Sequence, residues 1–212
     1  MKDIPMFTTE FGVASLILRE IPYQNTAYIK LHASLQPDLL LQDCVSFCRM
    51  VGAEQIYASG DTFLEQYPFY TAVWSMTCSK DSLSDTDAAL WPVQEHTVQH
   101  FRQIYNEKVS GIPGGAWMTS ADEKEIVRSG EGYFIHRDET ILGIGWVRDN
   151  KMLFLASMQP GAGEDVVRAL AHAITDDNVL LEVASENIKA LNLYQRLGFI
   201  KTGEIVRWYQ VL

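Results

Sequence analysis

Leu180-Leu181-Glu182-Val183-Ala184-Ser185-Glu186-Asn187, continuing as Ile188-Lys189-Ala190-Leu191-Asn192-Leu193-Tyr194-Gln195-Arg196-Leu197-Gly198-Phe199, is the stretch on which the reading of this chain turns. Its opening is short, apolar and bounded by polar residues, which predicts a strand over 179–183. Asn187 stands where a helix would start, and its side chain can accept from the amide of Lys189 or Ala190. The run 188–197 is then helical, Gly198 stops it, and 199–208 closes the chain as a strand or hairpin.

Working back from that stretch, 164–174 reads as a helix and 152–158 as a strand. The runs 133–136 and 141–147 read as a hairpin, turned by Arg137, Asp138 and Glu139. Two more helices are expected, one over 94–108 and one capped by Thr119 or Ser120 with Glu123 and Glu125 in its first turn. A turn-rich loop at 111–115 joins them. Before these come strands at 12–19, 26–32, 55–58 and 70–77 and a helix at 38–50. The segment 78–87 is rich in Ser and Asp, has nothing to bury, and reads as a linker. The order predicts an α/β (α+β) chain, a mixed sheet with helices packed against it.

The halves echo each other. Ala33-Ser34-Leu35-Gln36-Pro37 recurs as Ala156-Ser157-Met158-Gln159-Pro160, each copy between a strand and a helix. Ala58-Ser59 recurs as Ala184-Ser185, and Leu64 and Tyr67 as Leu191 and Tyr194. This order predicts an internal duplication. The second copy carries Gly161-Ala162-Gly163 before its helix, a turn that lets backbone N–H groups converge on an anion at a helix N-terminus. The first passes directly from Pro37 into Asp38, and reads as a partner without that anion site.

The segment 180–199 resembles the C-terminal motif of the GCN5-related N-acetyltransferase (GNAT) superfamily, and the element order extends the resemblance over 87–212. The resemblance implies an acyl-CoA N-acyltransferase-like fold, a mixed and mostly antiparallel sheet with helices on both faces. Residues 1–80 then form a smaller, degenerate partial copy, and 87–212 the acetyl-CoA-binding domain. It further implies that the strand Leu155-Ala156-Ser157-Met158 parts from its neighbour to admit pantetheine. The loop Gly161, Ala162, Gly163 and Glu164 would wrap the diphosphate, with Asn187, Ala190 and Tyr194 completing the cofactor side. The usual Arg/Gln-x-x-Gly-x-Gly/Ala spacing is absent after Gln159, and Pro160 removes one donor. Tyr194 falls where the family places a proton donor for the departing thiolate, and Glu182 where some members place a general base. The implied activity is transfer of an acetyl group from acetyl-CoA, a co-substrate, to a primary amine of a small molecule or peptide, by direct transfer in a ternary complex. A binding or regulatory module without turnover, and transfer of a different acyl group, are the alternatives. The acceptor side would draw on Trp117, Tyr133, Trp146, Trp208 and Tyr209.

Bulk properties narrow the field. The chain has 212 residues, and 17 Lys plus Arg against 27 Asp plus Glu give a net charge of -10, which disfavours nucleic-acid backbones as partners. Three cysteines make no disulfide framework and point to a reducing compartment. His96 and His100 lie four apart without the intervening Glu of a zinc protease, so no metal is expected. With no run of 18 apolar residues and no basic start feeding an apolar run, neither a membrane span nor a leader is expected, and a cytoplasmic protein is. A monomer, the two halves imitating a dimer, or a homodimer would both fit.

Overall fold

The computed structural model describes residues 5–110, 112 and 114–212. Gly111 and Pro113 of the expected loop lie outside the described residues, as do residues 1–4 of the segment read for a leader. The chain divides into two compact units, Met1–Ala72 with Glu204–Leu212, and Val73–Gly203.

The first unit runs through strands β1 (Met6–Thr9) and β2 (Gly12–Ile17), a short helix α1 (Ile21–Gln24) and strand β3 (Thr26–Ser34). Helix α2 (Pro37–Met50), strand β4 (Gln55–Ser59), a 3-10 turn (Thr62–Gln66) and the start of strand β5 (Phe69–Ser79) follow. β1/β2 and β2/β3 are antiparallel and β3/β4 parallel; the unit also takes in the end of the last strand, β11 (Ile200–Gln210), antiparallel to β4 at Tyr209↔Ala58. α2 forms because Leu40, Leu41, Cys44 and Cys48 recur at helical spacing, and it buries them on Leu16, Ile29 and Ile56. On the other face of this sheet Tyr28, Tyr57 and Trp208 pack together.

The second unit begins with the remainder of β5. It continues through β6 (Ala89–Pro92), α3 (Val98–Val109), α4 (Ser120–Ser129), β7 (Gly132–Arg137), β8 (Thr140–Arg148) and β9 (Lys151–Ser157). α5 (Gly163–His172), β10 (Asn178–Ala184), α6 (Ile188–Arg196) and the start of β11 complete it. β6 to β9 pair antiparallel in order, β9/β10 are parallel, and β10 pairs antiparallel with β5 from Asn178↔Ser79 to Ala184↔Val73. α5 and α6 bury Val166, Leu170, Leu191 and Tyr194 on one face. α3 buries Phe101, Ile104 and Tyr105, and α4 buries Ile126, on the other, with Phe134 and Ile144 beneath them. The sheet is mixed, mostly antiparallel and covered by helices on both faces.

The division differs from the expected limits 1–80 and 87–212. It falls inside β5 and β11, so each unit contains a strand whose other end belongs to the other unit. The segment read as a linker is also fastened down. Thr86 donates to Asp165 at 3.0 Å, Lys80 Nζ donates to the Ile174 carbonyl, and Arg137 pairs with Asp87. Two short strands, β1 and β6, escape a periodicity reading because each has only four residues.

Candidate active site

β9 and β10 pair at only two positions, Leu180↔Lys151 and Leu181↔Met152. The cause lies in the next residue. The β8/β9 register goes from Trp146↔Phe154 to Val147↔Met152, which leaves Leu153 as the extra residue of a bulge. A bulge bends its strand, and this one turns β9 away from β10 just where their ladder ends. Beyond it, the Met158 amide donates to the Leu142 carbonyl at 2.7 Å. Strand alternation then points Ala156 and Phe154 at β8, and turns the amides and carbonyls of Leu155 and Ser157 into the gap.

The chain leaves β9 through Gln159-Pro160-Gly161-Ala162. Gly161 takes a left-handed φ of 83°, a conformation that favours glycine, and turns the loop into α5. α5 begins without a side-chain cap. Ala162 N–H donates to Gln159 O at 3.2 Å and Val166 N–H to Ala162 O at 3.0 Å. The amides of Gly161, Gly163, Glu164 and Asp165 have no protein acceptor among the described residues. The Ala162 N–H is thus used within the loop itself. The other three predicted loop residues, with Asp165 added, present free donors at the positive end of a helix.

Two carboxylates in that first turn would oppose an anion, but both are matched by cations. Glu164 lies 3.3 Å from Arg168 and 3.5 Å from Arg196. Asp165 lies 2.9 Å from Arg137 and accepts from Thr86. Arg168 and Arg196 were not singled out in the sequence, and Arg137 was read only as a turn residue; the partners of Arg196 and Arg137 lie on other elements.

Asn187 caps α6, its Oδ1 accepting from Ala190 N–H at 3.2 Å, which leaves its amide N–H groups free of that bond. Tyr194 is 6% exposed and packs on Phe199 with ring centroids 5.7 Å apart. Burial pushes its pKa up from 10.0, and its hydroxyl has no hydrogen-bond partner among the described residues. Glu182 lies on the face opposite Leu181 and Val183, where the strands begin to part. It is 38% exposed and accepts from Lys151 Nζ at 2.5 Å. Of the expected acceptor-side aromatics, Trp117, Tyr133 and Trp146 belong to the second unit, with Trp146 packed beside Phe154 on the α3 face and its indole N–H buried without an acceptor among the described residues. Trp208 and Tyr209 lie in the first unit, each buried in one of its clusters.

In the first unit the corresponding strands, β3 and β4, do not part. Leu35 and Gln36 amides share the Phe11 carbonyl, as Met158 and Gln159 share that of Leu142. Gly12 opposes Ser34 as Gly143 opposes Ser157, and a Cβ on either would stand 2.2 or 2.5 Å from the carbonyl oxygen of Ala33 or Ala156. Yet β3 and β4 stay paired over five positions, from Thr26↔Gln55 to Lys30↔Ser59. A Cβ on Gly60 would be 2.1 Å from the Leu31 carbonyl oxygen, and Ser34 donates to Asp61 at 2.5 Å. These contacts close the space that the second unit leaves open.

Comparison of the whole structure with solved ones gives a consistent answer. It matches a GCN5-related N-acetyltransferase from Sphaerobacter thermophilus with a TM-score of 0.60 at 14% identity, over 93% of this chain and 75% of that one. A putative acetyltransferase from Pyrococcus horikoshii matches with 0.60 at 11%, over 95% and 69%. The chain has the GNAT fold. A tandem GNAT protein from the clavulanic acid biosynthesis pathway also matches, with 0.55 at 12% identity over 94% of this chain and 78% of that one. No protein-family model and no curated protein matches the sequence. Among the described residues no helix is long and apolar enough to cross a membrane.

Proposed function

We propose that the second unit binds acetyl-CoA and transfers its acetyl group to a primary amine of a small molecule or peptide by direct attack in a ternary complex. The observation that carries this is the two-position β9/β10 ladder, which leaves the backbone groups of Leu155 and Ser157 unpaired beside the uncapped start of α5. The residues fit the coenzyme on two counts. An amide-bearing arm can complete the ladder that β9 abandons, and a diphosphate can take the free amides of Gly161, Gly163 and Glu164.

The thioester, when bound, supplies the activated acetyl group. Leu155 and Ser157 orient the arm that carries it. The nucleophile must be a neutral amine, and its excess proton needs a route away. Glu182 is the carboxylate nearest the start of the opening, and it acts as base by exchanging Lys151 for the amine or a bridging water. Tyr194, protonated because burial favours the neutral phenol, holds the proton that the leaving thiolate needs. The first unit, with its space closed, is a duplicated partner that binds no coenzyme, so one molecule binds per chain.

One observation favours a second reading, binding without turnover: Tyr194 is enclosed in the core beside Leu191 and Phe199. Titration calorimetry with acetyl-CoA and a thiol-release assay over a panel of amines separate the two. The first reading expects one site per chain, a thermal shift on binding and thiol release with some amine. Binding with no release from any amine favours the second, and absence of any thermal shift or binding heat ends both.

A further inference from the structure

Glu164 is approached by two guanidinium groups from different helices. Arg168 Nη2 lies 3.3 Å away, one turn along α5, and Arg196 Nη2 lies 3.5 Å away on the last turn of α6. α6 comes this near because Gly163 has no side chain, and a Cβ there would stand 2.9 Å from Leu193 Cδ2. Two cations against one carboxylate leave one unit of positive charge in excess, next to free helix amides. Among the described residues the Nε of Arg168 is buried without an acceptor, and Arg196 is 62% exposed. Each guanidinium has five N–H donors, so most remain after Glu164 is served. Asp165, the other acid of the turn, points to Arg137 and Thr86 and takes nothing from this pair.

We propose that Arg196 and Arg168, pre-positioned by Glu164, form a seat for the phosphomonoester on the ribose of coenzyme A. The inference rests on the acetyl-CoA reading above and extends it to the nucleotide end. A phosphomonoester carries nearly two negative charges and accepts from planar guanidinium forks, whereas the diphosphate is already served by the loop amides. The carboxylate holds both side chains in place before the ligand arrives, which lowers the ordering cost of binding.

The test is titration calorimetry of the full chain with coenzyme A and with dephospho-coenzyme A, which lacks only that phosphate. The wild type is expected to bind the phosphorylated form about tenfold more tightly, the size of one charge-assisted contact. Arg196→Gln, at a mostly exposed position, should bring the two affinities together by weakening coenzyme A alone. Glu164→Gln, which keeps an amide oxygen for the two guanidinium groups and removes only the opposing charge, should leave the preference intact or widen it. Equal affinities in the wild type, or an Arg196→Gln variant that weakens both forms alike, would overturn the seat and leave a helix-to-helix staple. A wild type that binds neither form ends the acetyl-CoA reading itself, and the seat with it.

Discussion

In the proposed reaction, Tyr194 holds the proton for the departing thiolate. Replacing it with Phe removes a hydroxyl that has no partner among the described residues and keeps the ring that packs on Phe199. Tyr194→Phe should therefore melt within a few degrees of the wild type and bind acetyl-CoA equally well, while turnover drops about 100-fold or more. Melting curves, calorimetry and steady-state rates check the three parts. A variant as fast as the wild type would remove Tyr194 from the proton path. At this scale the sequence was legible where the physics is local. Asn187 as a cap and Gly198 as a stop (φ 89°) act within one helical turn, so both could be read from neighbours in the chain. The neutralisation of Glu164 by Arg196 was not legible, because that pair is 32 positions apart and depends on where two helices meet.

Among the elements, β5 is decisive. Its residues 73–79 pair with the whole of β10, the strand that carries Glu182. A fragment beginning at residue 87 would lose this partner and expose the edge of β10, with Met76 and Cys78 gone from the core. We expect the fragment 87–212 to be aggregated or unfolded by circular dichroism and to give no binding heat with acetyl-CoA, in contrast to the full chain. A folded, binding fragment would show that β5 is dispensable. The helix and strand types of the second unit followed from periodicity, and the hairpin of β7 and β8 from its turn residues. The boundary did not, since composition reports what a segment exposes to water and not which strand it pairs with. A Ser- and Asp-rich stretch looks free until Asp165, Ile174 and Arg137 are seen to hold it. The bulge at Leu153 was equally invisible, for its apolar neighbours carry no mark of an extra residue.

Across the molecule, buried protons set the alkaline limit. Burial, with a smaller push from Cys48 and Asp43, raises Cys44 from 9.0 to about 12, and burial raises Cys48 to about 11. Cys78 rises to about 11 despite its contact with Ser82, and Tyr70 from 10.0 to about 12 through burial and Tyr57. The unfolded chain gives up these protons first, so above about pH 9 the native state binds more protons than the unfolded one, and stability falls with rising pH. This contribution is complete below the unfolded values and is gone once the folded values near 11 and 12 are passed. Melting temperatures should hold level from pH 7 to about 9 and decline steadily above. A flat profile up to pH 11 would show that these groups titrate normally when folded.

The shared strands also set an order in time for biosynthesis. β4 gains its second neighbour through Tyr209 and Gln210, which pair with Ala58 and Tyr57 across the intervening sequence of the second unit. On the ribosome, the first unit can therefore close only after the second has been made, and the waiting edge of β4 needs shielding until then.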